Sequence, residues 1–250
     1  MTTATIRRWV QSLGVLGVLL GCGSSADAPA PTGNPKDTPV AAGGAVANPA
    51  ASRTILFVGT SLTAGLGLDP EQAYPALLQP RLDSIAPGWQ AINAGVSGET
   101  SAGALRRLEW LVGEGPAPAI VVVETGANDG LRGQSIDSLR ANLEAILARL
   151  DRLEPRPRVV VAQMEALPNL GRAYVQRFRT VFADVAAAHG AVLMPFLLDG
   201  VAGVDSLNQP DGIHPNPAGA RRVADNVWRT IGPLVSSRSE SPRSATSATP

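Results

Sequence analysis

The chain has 250 residues, of which 44% are hydrophobic, and its 21 basic residues balance 21 acidic ones. This length and composition suit one α/β domain with a substantial core and terminal tails. The zero net charge and the 4% aromatic content argue against a nucleic-acid surface. A single cysteine, Cys22, rules out an intrachain disulfide. Two histidines, His189 and His214, are too few for a metal site built on several His and Cys side chains.

Residues 1–21 are predicted to be a lipoprotein signal peptide. Two arginines precede the apolar stretch Val10–Leu20, which is shorter than the roughly 20 residues that a membrane-spanning helix needs. The stretch ends in "LLGC" (Leu19–Cys22), which resembles the bacterial lipobox, in which the cysteine becomes the lipid-modified first residue. The alternative is an ordinary secretory leader with an incidental cysteine. The resemblance implies an exported protein that is lipid-anchored through Cys22 at the outer membrane or the periplasmic face, and Gly23 in place of Asp favours the outer membrane.

Residues 22–52 are rich in Ala, Pro, Gly and Ser and hold almost no large apolar side chains. Such a segment cannot bury enough surface to offset its ordering entropy, so it is predicted to be a disordered tether. Residues 236–250 are predicted to be a disordered tail for the same reason. The folded domain is therefore expected to span residues 53–235.

Within this domain, apolar runs alternate with segments of helical periodicity. The runs predicted as strands are Thr54–Val58, Gln90–Asn93, Ala119–Glu124, Arg158–Met164 and Ala191–Phe196. Helices are predicted over Tyr74–Ile85 and Thr100–Leu111, and along apolar stripes that start at Leu139, Tyr174 and Ala220. Five apolar strands separated by helices predict an α/β fold with a parallel sheet covered on both faces. Ligands then bind beyond the carboxyl ends of the strands.

Polar clusters follow these strands. Ser61 follows the first strand, Asn93–Thr100 the second and Glu124–Gly130 the third, while Gln209–Gly219 precedes the last helix. Because the carboxyl ends of parallel strands meet at one edge of a sheet, these clusters are expected to converge there. Ser, Gly, Asn, Asp and His side chains at one edge are what acyl transfer to a serine requires.

These clusters resemble the sequence blocks of the SGNH, or GDSL, hydrolases. The matching blocks are "GTSL" around Ser61, "SGET" with Gly98, "GAND" with Asn128 and "DGIHP" with His214. Together with "YPALL" they are most similar to the bacterial secreted arylesterase, thioesterase and lysophospholipase subgroup. The resemblance covers about residues 54–235 and implies a three-layer α/β/α flavodoxin-like sandwich.

The chemistry assigns a role to each of these residues. Ser61 is the candidate nucleophile and His214 the candidate base, and Asp211 lies three residues earlier, where its carboxylate can reach the imidazole. The backbone N–H groups of Ser61 and Gly98 and the amide of Asn128 are the candidate oxyanion hole.

Other polar residues are predicted to have structural roles. His189 falls at a helix end before Gly190, where a histidine suits the helix terminus. Asp129 is expected to buttress the Asn128 loop, and Glu124 to bind hydrogen-bond donors locally.

The function predicted is a serine esterase that hydrolyses carboxylic ester or thioester bonds through an acyl-serine. No metal, nucleotide or organic cofactor is implied, and the sequence leaves the oligomeric state open, with a monomer as the default. One alternative is a carbohydrate O-deacetylase on the same scaffold, although the low aromatic content argues mildly against it. Another is a catalytically inactive surface lipoprotein that binds acyl chains or a partner.

The first block departs from the family pattern at Thr60, where Gly-Asp-Ser-Leu is usual. The triad needs only one acid near His214, and Asp211 can fill that place. Thr60 keeps a hydroxyl that can bind backbone groups nearby. The hypothesis is that Thr60 preserves the shape of the loop while it tunes the rate or the pH response.

Overall fold

A five-stranded parallel sheet forms from the predicted apolar runs. The computed structural model describes residues 53–113 and 116–239. The strands are β1 (Thr54–Gly59), β2 (Gln90–Gly95), β3 (Ile120–Val123), β4 (Arg158–Ala162) and β5 (Val192–Met194). Their order across the sheet is β2-β1-β3-β4-β5, and every neighbouring pair is parallel. The predicted fold class is therefore confirmed.

Helices connect the strands, and their apolar stripes face the sheet. They are α1 (Ser61–Ala64), α2 (Tyr74–Ile85), α3 (Ser101–Gly113), α4 (Ala127–Leu131), α5 (Ile136–Leu150), α6 (Arg172–Ala188) and α7 (Pro217–Ser239). The chain steps from β1 to β2 in one direction and from β2 through β5 in the other. Right-handed crossovers then place α2 on one face of the sheet and α3, α5 and α6 on the other. Helix α7 packs against α2, which completes the second helical layer.

The core lies between these layers. All four residues of β3 are buried, because a central parallel strand is covered on both faces and reads as a continuous apolar run. Strand β2 forms one edge of the sheet, and its side chains are exposed or half-buried, with Ile92 44% exposed. The helical layers thus cover the central strands more completely than this edge strand.

The ends of the described residues bear on the predicted domain boundaries. The predicted signal peptide, Cys22 and the tether all lie outside the described residues, as does the tail beyond Ser239. Helix α7 continues past residue 235, the predicted end of the domain, to Ser239. Its last buried apolar side chain is Val235, so the final turn extends beyond the core. Among the described residues, no helix has the length and apolar character to cross a bilayer.

The topology creates a crevice above β1. The strand lies between β2 and β3, whose connections leave in opposite directions, and such switch points are where open α/β sheets bind ligands. Gly95 at the end of β2 allows α1 to approach closely, since a Cβ there would lie 2.2 Å from the backbone nitrogen of Ala64. The first residue of α1 is Ser61, so this packing fixes the position of the candidate nucleophile.

Candidate active site

Ser61 stands at the turn between β1 and α1. Thr60 has an extended backbone, and α1 begins at Ser61 and ends after one turn at Gly65. Gly65 has a φ of +77°, and its N–H donates to the Ser61 carbonyl, which closes the turn tightly. Ser61 is 8% exposed. The short helix holds its hydroxyl at the floor of a cavity beyond the sheet edge.

Ser61, His214 and Asp211 form a continuous hydrogen-bonded chain. The Nε2 atom of His214 lies 2.9 Å from Ser61 Oγ, and its Nδ1 atom lies 2.7 Å from Asp211 Oδ2. The other carboxylate oxygen of Asp211 accepts the backbone N–H groups of Ile213 and His214 at 2.9 and 3.0 Å. The structure thus brings together the three residues that the sequence proposed, from two segments far apart in the chain.

The Asp211 carboxylate is held in its ionised form. Hydrogen bonds from the backbone N–H and then the imidazole of His214, followed by that of the Ile213 N–H, lower its pKa from 3.8 to about 2. An ionised Asp211 fixes the imidazole so that Nδ1 carries the proton and Nε2 faces Ser61. The sequence spacing of three residues suffices for this contact because both residues lie in one tight loop.

Gly98 and Asn128 line the same cavity as Ser61. Gly98 has a φ of +78°, a conformation that favours glycine. Asn128 is the second residue of α4, and its Nδ2 atom donates one hydrogen bond to the Glu99 carbonyl at 2.8 Å. A side-chain amide carries two N–H groups, so this contact orients Asn128 while leaving one donor available.

Glu124 accepts hydrogen bonds, as the sequence predicted, but the identity of its donors was not predicted. It is fully buried, and its carboxylate accepts the Thr60 N–H at 2.8 Å, the Thr60 hydroxyl at 3.0 and 3.1 Å and the Thr63 hydroxyl at 2.8 Å. Its partners therefore lie on the turn that carries Ser61, which is distant in the chain but adjacent in the fold. The Thr60 hydroxyl likewise binds this side chain and not a backbone group. The available signal was a carboxylate directly after a fully apolar strand.

Burial is the main cause of the raised pKa values of Glu124 and its neighbour Tyr74. Desolvation raises the pKa of Glu124 from 4.5 to about 7, and the hydrogen bonds from Thr60 and Thr63 oppose that shift. The Tyr74 hydroxyl lies 2.8 Å from Thr63 Oγ1, and burial followed by the charge of Glu124 raises the tyrosine pKa. A second carboxyl at position 60 would lie against Glu124, whereas a threonine hydroxyl donates to it.

The remaining predicted residues lie in structural contacts. His189 ends α6, and its Nδ1 atom pairs with Asp151 Oδ2 at 2.8 Å, so this histidine is not at the Ser61 site. Asp129 buttresses the Asn128 loop as expected, because its carboxylate accepts the N–H and hydroxyl of Ser101 at 2.9 and 2.6 Å. Within residues 53–113 and 116–239, no three His, Cys, Asp or Glu side chains are grouped as metal ligands.

A cavity of about 880 Å³ opens above Ser61 and His214. Most of its other lining side chains are apolar, including Leu62, Leu66, Leu131, Met164, Leu167, Val175, Phe196 and Ile213. Several of these are unusually exposed for their type, among them Leu66, Leu131, Leu167 and Ile213 at 40–46%. Exposed apolar side chains clustered around one cavity are typical of a ligand-binding surface.

A sequence profile of the GDSL-like lipase/acylhydrolase family matches residues 57–222. The chain belongs to this family. It is similar to the esterase TesA of Pseudomonas aeruginosa, with 45% identity over 186 residues that cover 74% of this chain and 91% of that protein. It is 34% identical to the thioesterase 1/protease 1/lysophospholipase L1 of Escherichia coli K12, over 74% of this chain and 86% of that protein.

Solved structures agree with this GDSL-family assignment. The psychrotrophic esterase EstA of Pseudoalteromonas, in a structure inhibited by monoethylphosphonate, matches with a TM-score of 0.69 at 34% identity. The match covers 74% of this chain and 99% of that one. The predicted family is thus confirmed. The predicted general activity is confirmed as well: this protein is an ester hydrolase.

The buried Glu124 gives a prediction for stability. Because its pKa is raised, the folded protein holds this proton more tightly than the unfolded chain does. The resulting stabilisation is complete below pH 4.5, declines as the pH rises toward 7 and is gone above it. Relative to Glu124→Gln, the free energy of unfolding of the wild type should fall by about 3 kcal/mol between pH 4.5 and pH 8.

Urea unfolding at half-unit pH steps measures this difference. Glu71→Gln, which removes an exposed carboxyl, controls for the loss of one negative charge. A wild-type minus Glu124→Gln difference that does not change with pH would contradict the prediction.

Proposed function

We propose that Ser61 is the nucleophile of the esterase reaction and His214 its general base. The hydrogen-bonded chain from Ser61 Oγ through His214 to Asp211, at 2.9 and 2.7 Å, carries this proposal. Ser61 Oγ attacks the acyl carbon while its proton moves to His214 Nε2. His214 then protonates the departing alcohol or thiol as its bond to the acyl carbon breaks. Water then attacks the acyl-Ser61 ester while His214 Nε2 takes its proton, and His214 returns that proton to Ser61 Oγ as the carboxylic acid leaves.

The negative charge that develops on the acyl oxygen requires preorganised donors. We assign these to the backbone N–H groups of Ser61 and Gly98 and the free Nδ2 proton of Asn128. All three residues line the cavity that holds Ser61 Oγ, which supports the assignment. Each such donor is worth about 3 kcal/mol in the transition state, because it is already oriented toward the position where the charge develops.

Variants of the triad and the oxyanion hole test this mechanism. Ser61→Ala and His214→Ala should each lower kcat on p-nitrophenyl butyrate by at least about 10³-fold. Asn128→Ala should lower kcat by about 10²- to 10³-fold with little change in KM, since its bond strengthens only in the transition state. His189→Ala is the matched control and should leave kcat within about twofold. A Ser61→Ala enzyme with wild-type turnover would refute the mechanism.

We further propose that the acyl group is a hydrocarbon chain bound in the 880 Å³ cavity. The apolar lining supports this choice, since burial of each CH₂ of a substrate contributes about 0.8 kcal/mol. Among the lining residues in the described part of the chain, Phe196 is the only Phe, Tyr or Trp, which does not favour the sugar-binding alternative. The names of the relatives, which include thioesterase and lysophospholipase, are compatible with ester or thioester substrates of this class.

A charge placed in the cavity should separate long from short acyl substrates. Leu167 lines the cavity and is 44% exposed, so Leu167→Asp can fold while placing a carboxylate against the chain. In a p-nitrophenyl ester series, kcat/KM should fall at least about tenfold for C8 and longer chains and stay near wild type for acetate. Val204→Asp, at a similarly exposed residue outside the cavity lining, is the control. Equal losses on acetate and longer chains would exclude the proposed chain path.

We also propose that the mature chain is attached to the cell envelope through a lipid on Cys22. The support is the lipobox-like "LLGC" after a short apolar stretch and the Ala/Pro/Gly-rich segment that follows it. The segment 22–52 would act as the tether, the domain would extend from residue 53 to at least 235, and residues 240–250 would form the free tail.

Fractionation of the full chain tests this anchor. In a Gram-negative host, the wild type should enter the detergent phase of a Triton X-114 extract and incorporate labelled palmitate. Cys22→Ser should lose the label and partition into the aqueous phase, because no other cysteine is present. A wild type that is exported without label would favour the ordinary secretory leader.

A further inference from the structure

Arg107 on α3 lies between two segments of the proposed site. Its Nε atom donates to both carboxylate oxygens of Glu99, at 2.7 and 2.8 Å, and Nη2 lies 2.7 Å from Oε2. The same Nη2 atom donates to the carbonyl of Gly59 at 3.2 Å. The side chains of Arg107 and Glu99 are only 18% and 9% exposed, so the pair is largely shielded from water.

Each contact of this guanidinium ends on a segment that carries an oxyanion donor. Gly59 is the last residue of β1, two positions before Ser61. Glu99 directly follows Gly98 in the chain, and its carbonyl accepts the hydrogen bond that orients the Asn128 amide. One planar side chain therefore ties together the strand that precedes Ser61, the loop of Gly98 and, through Glu99, the side chain of Asn128.

We propose that Arg107 is a positioning residue that sets the relative placement of the three oxyanion donors, with Glu99 as its counter-ion. The inference rests on the oxyanion hole proposed above and assigns it a support, Arg107, that lies outside the motif blocks and that the relatives' names do not identify. Arg107 has no place in the proton transfers.

The geometry of the guanidinium explains why an arginine serves here. Its donors lie in one rigid plane, so it can bind a carboxylate and a carbonyl at once with a fixed spacing. A lysine keeps the charge but offers one compact donor group and cannot hold both partners in that geometry. Helix α3 makes room for the pair, since a Cβ on Gly103 would lie 2.6 Å from Glu99 Cγ. The ion pair thus lies against α3 in a space that a glycine keeps open.

A displaced donor affects the transition state more than the bound substrate, because the strong bonds form only as the oxyanion develops. Misplacement of a reacting group by about 1 Å can cost about 10²-fold in rate. Loss of Arg107 should therefore lower kcat and leave KM nearly unchanged. A residue that only stabilised the fold would lower the melting temperature without this separation.

The test compares Arg107→Gln, Arg107→Lys and Glu99→Gln with the wild type on p-nitrophenyl butyrate. We expect kcat to fall about 10- to 100-fold in Arg107→Gln and less in Arg107→Lys, with KM within about threefold. Glu99→Gln should also lower kcat, and the double variant Arg107→Gln/Glu99→Gln should lose less than the product of the single effects, because the two residues act as a unit.

Arg140→Gln is the matched control, since Arg140 pairs with Asp184 at 2.6 Å on the exposed faces of α5 and α6. It should change kcat by less than twofold. If Arg107→Gln and Arg107→Lys are folded and keep wild-type kcat, the inference is wrong, whatever their melting temperatures. If Arg107→Gln does not fold, Arg107→Lys and Glu99→Gln decide in the same way. Ser61→Ala is measured in the same assay. If its kcat equals that of the wild type, the proposed mechanism and this inference are both wrong. If Ser61→Ala is inactive but the Arg107 variants keep wild-type kcat, only the inference is wrong.

Discussion

The position of Ser61 depends on a buried carboxylate. Glu124, at the carboxyl end of β3, accepts the backbone N–H of Thr60 and the hydroxyls of Thr60 and Thr63, and so holds both sides of the turn that contains Ser61. No cation is among its hydrogen-bond partners in the described part of the chain, so these donors must offset its desolvation. Removing any of them leaves a buried acceptor with fewer partners. The threonine in Gly-Thr-Ser-Leu is therefore a hydrogen-bond donor to Glu124, which explains why a hydroxyl suits this position.

The rest of the site is connected to this turn by side chains that link neighbouring loops. Gln209 connects the segment after α1 with the loop that carries His214. Its Nε2 atom donates to the carbonyls of Leu66 at 2.7 Å and Pro215 at 3.0 Å. Its backbone N–H donates to the His214 carbonyl at 2.7 Å. The parallel sheet brings the loops to one edge, and contacts such as these fix the loops relative to one another. Site geometry of this kind belongs to the packing between loops more than to any single motif.

Local patterns of the sequence predicted most of the fold. Helix α2 has the predicted bounds, Tyr74–Ile85, because its apolar periodicity and flanking residues lie close together in the chain. The triad was predictable because the blocks around Ser61 and His214 resemble those of the SGNH hydrolases, and Asp211 shares one loop with His214. The contacts of Glu124 with Thr60 and of Arg107 with Gly59 were not predictable, because the two partners lie 64 and 48 residues apart, no motif links them, and only the folded sheet brings them together. The polar residues after Val235 suggested a tail, but a formed helix can extend past its last buried side chain at small cost.

The central claim is that Ser61 becomes acylated, and covalent labelling tests it most directly. A fluorophosphonate should add to the folded domain at one site, which peptide mapping by mass spectrometry should locate on Ser61. Labelling should be absent in Ser61→Ala and strongly slowed in His214→Ala, while His189→Ala reacts like the wild type. A folded wild-type protein that takes up no label, or that carries it on another residue, would contradict the account.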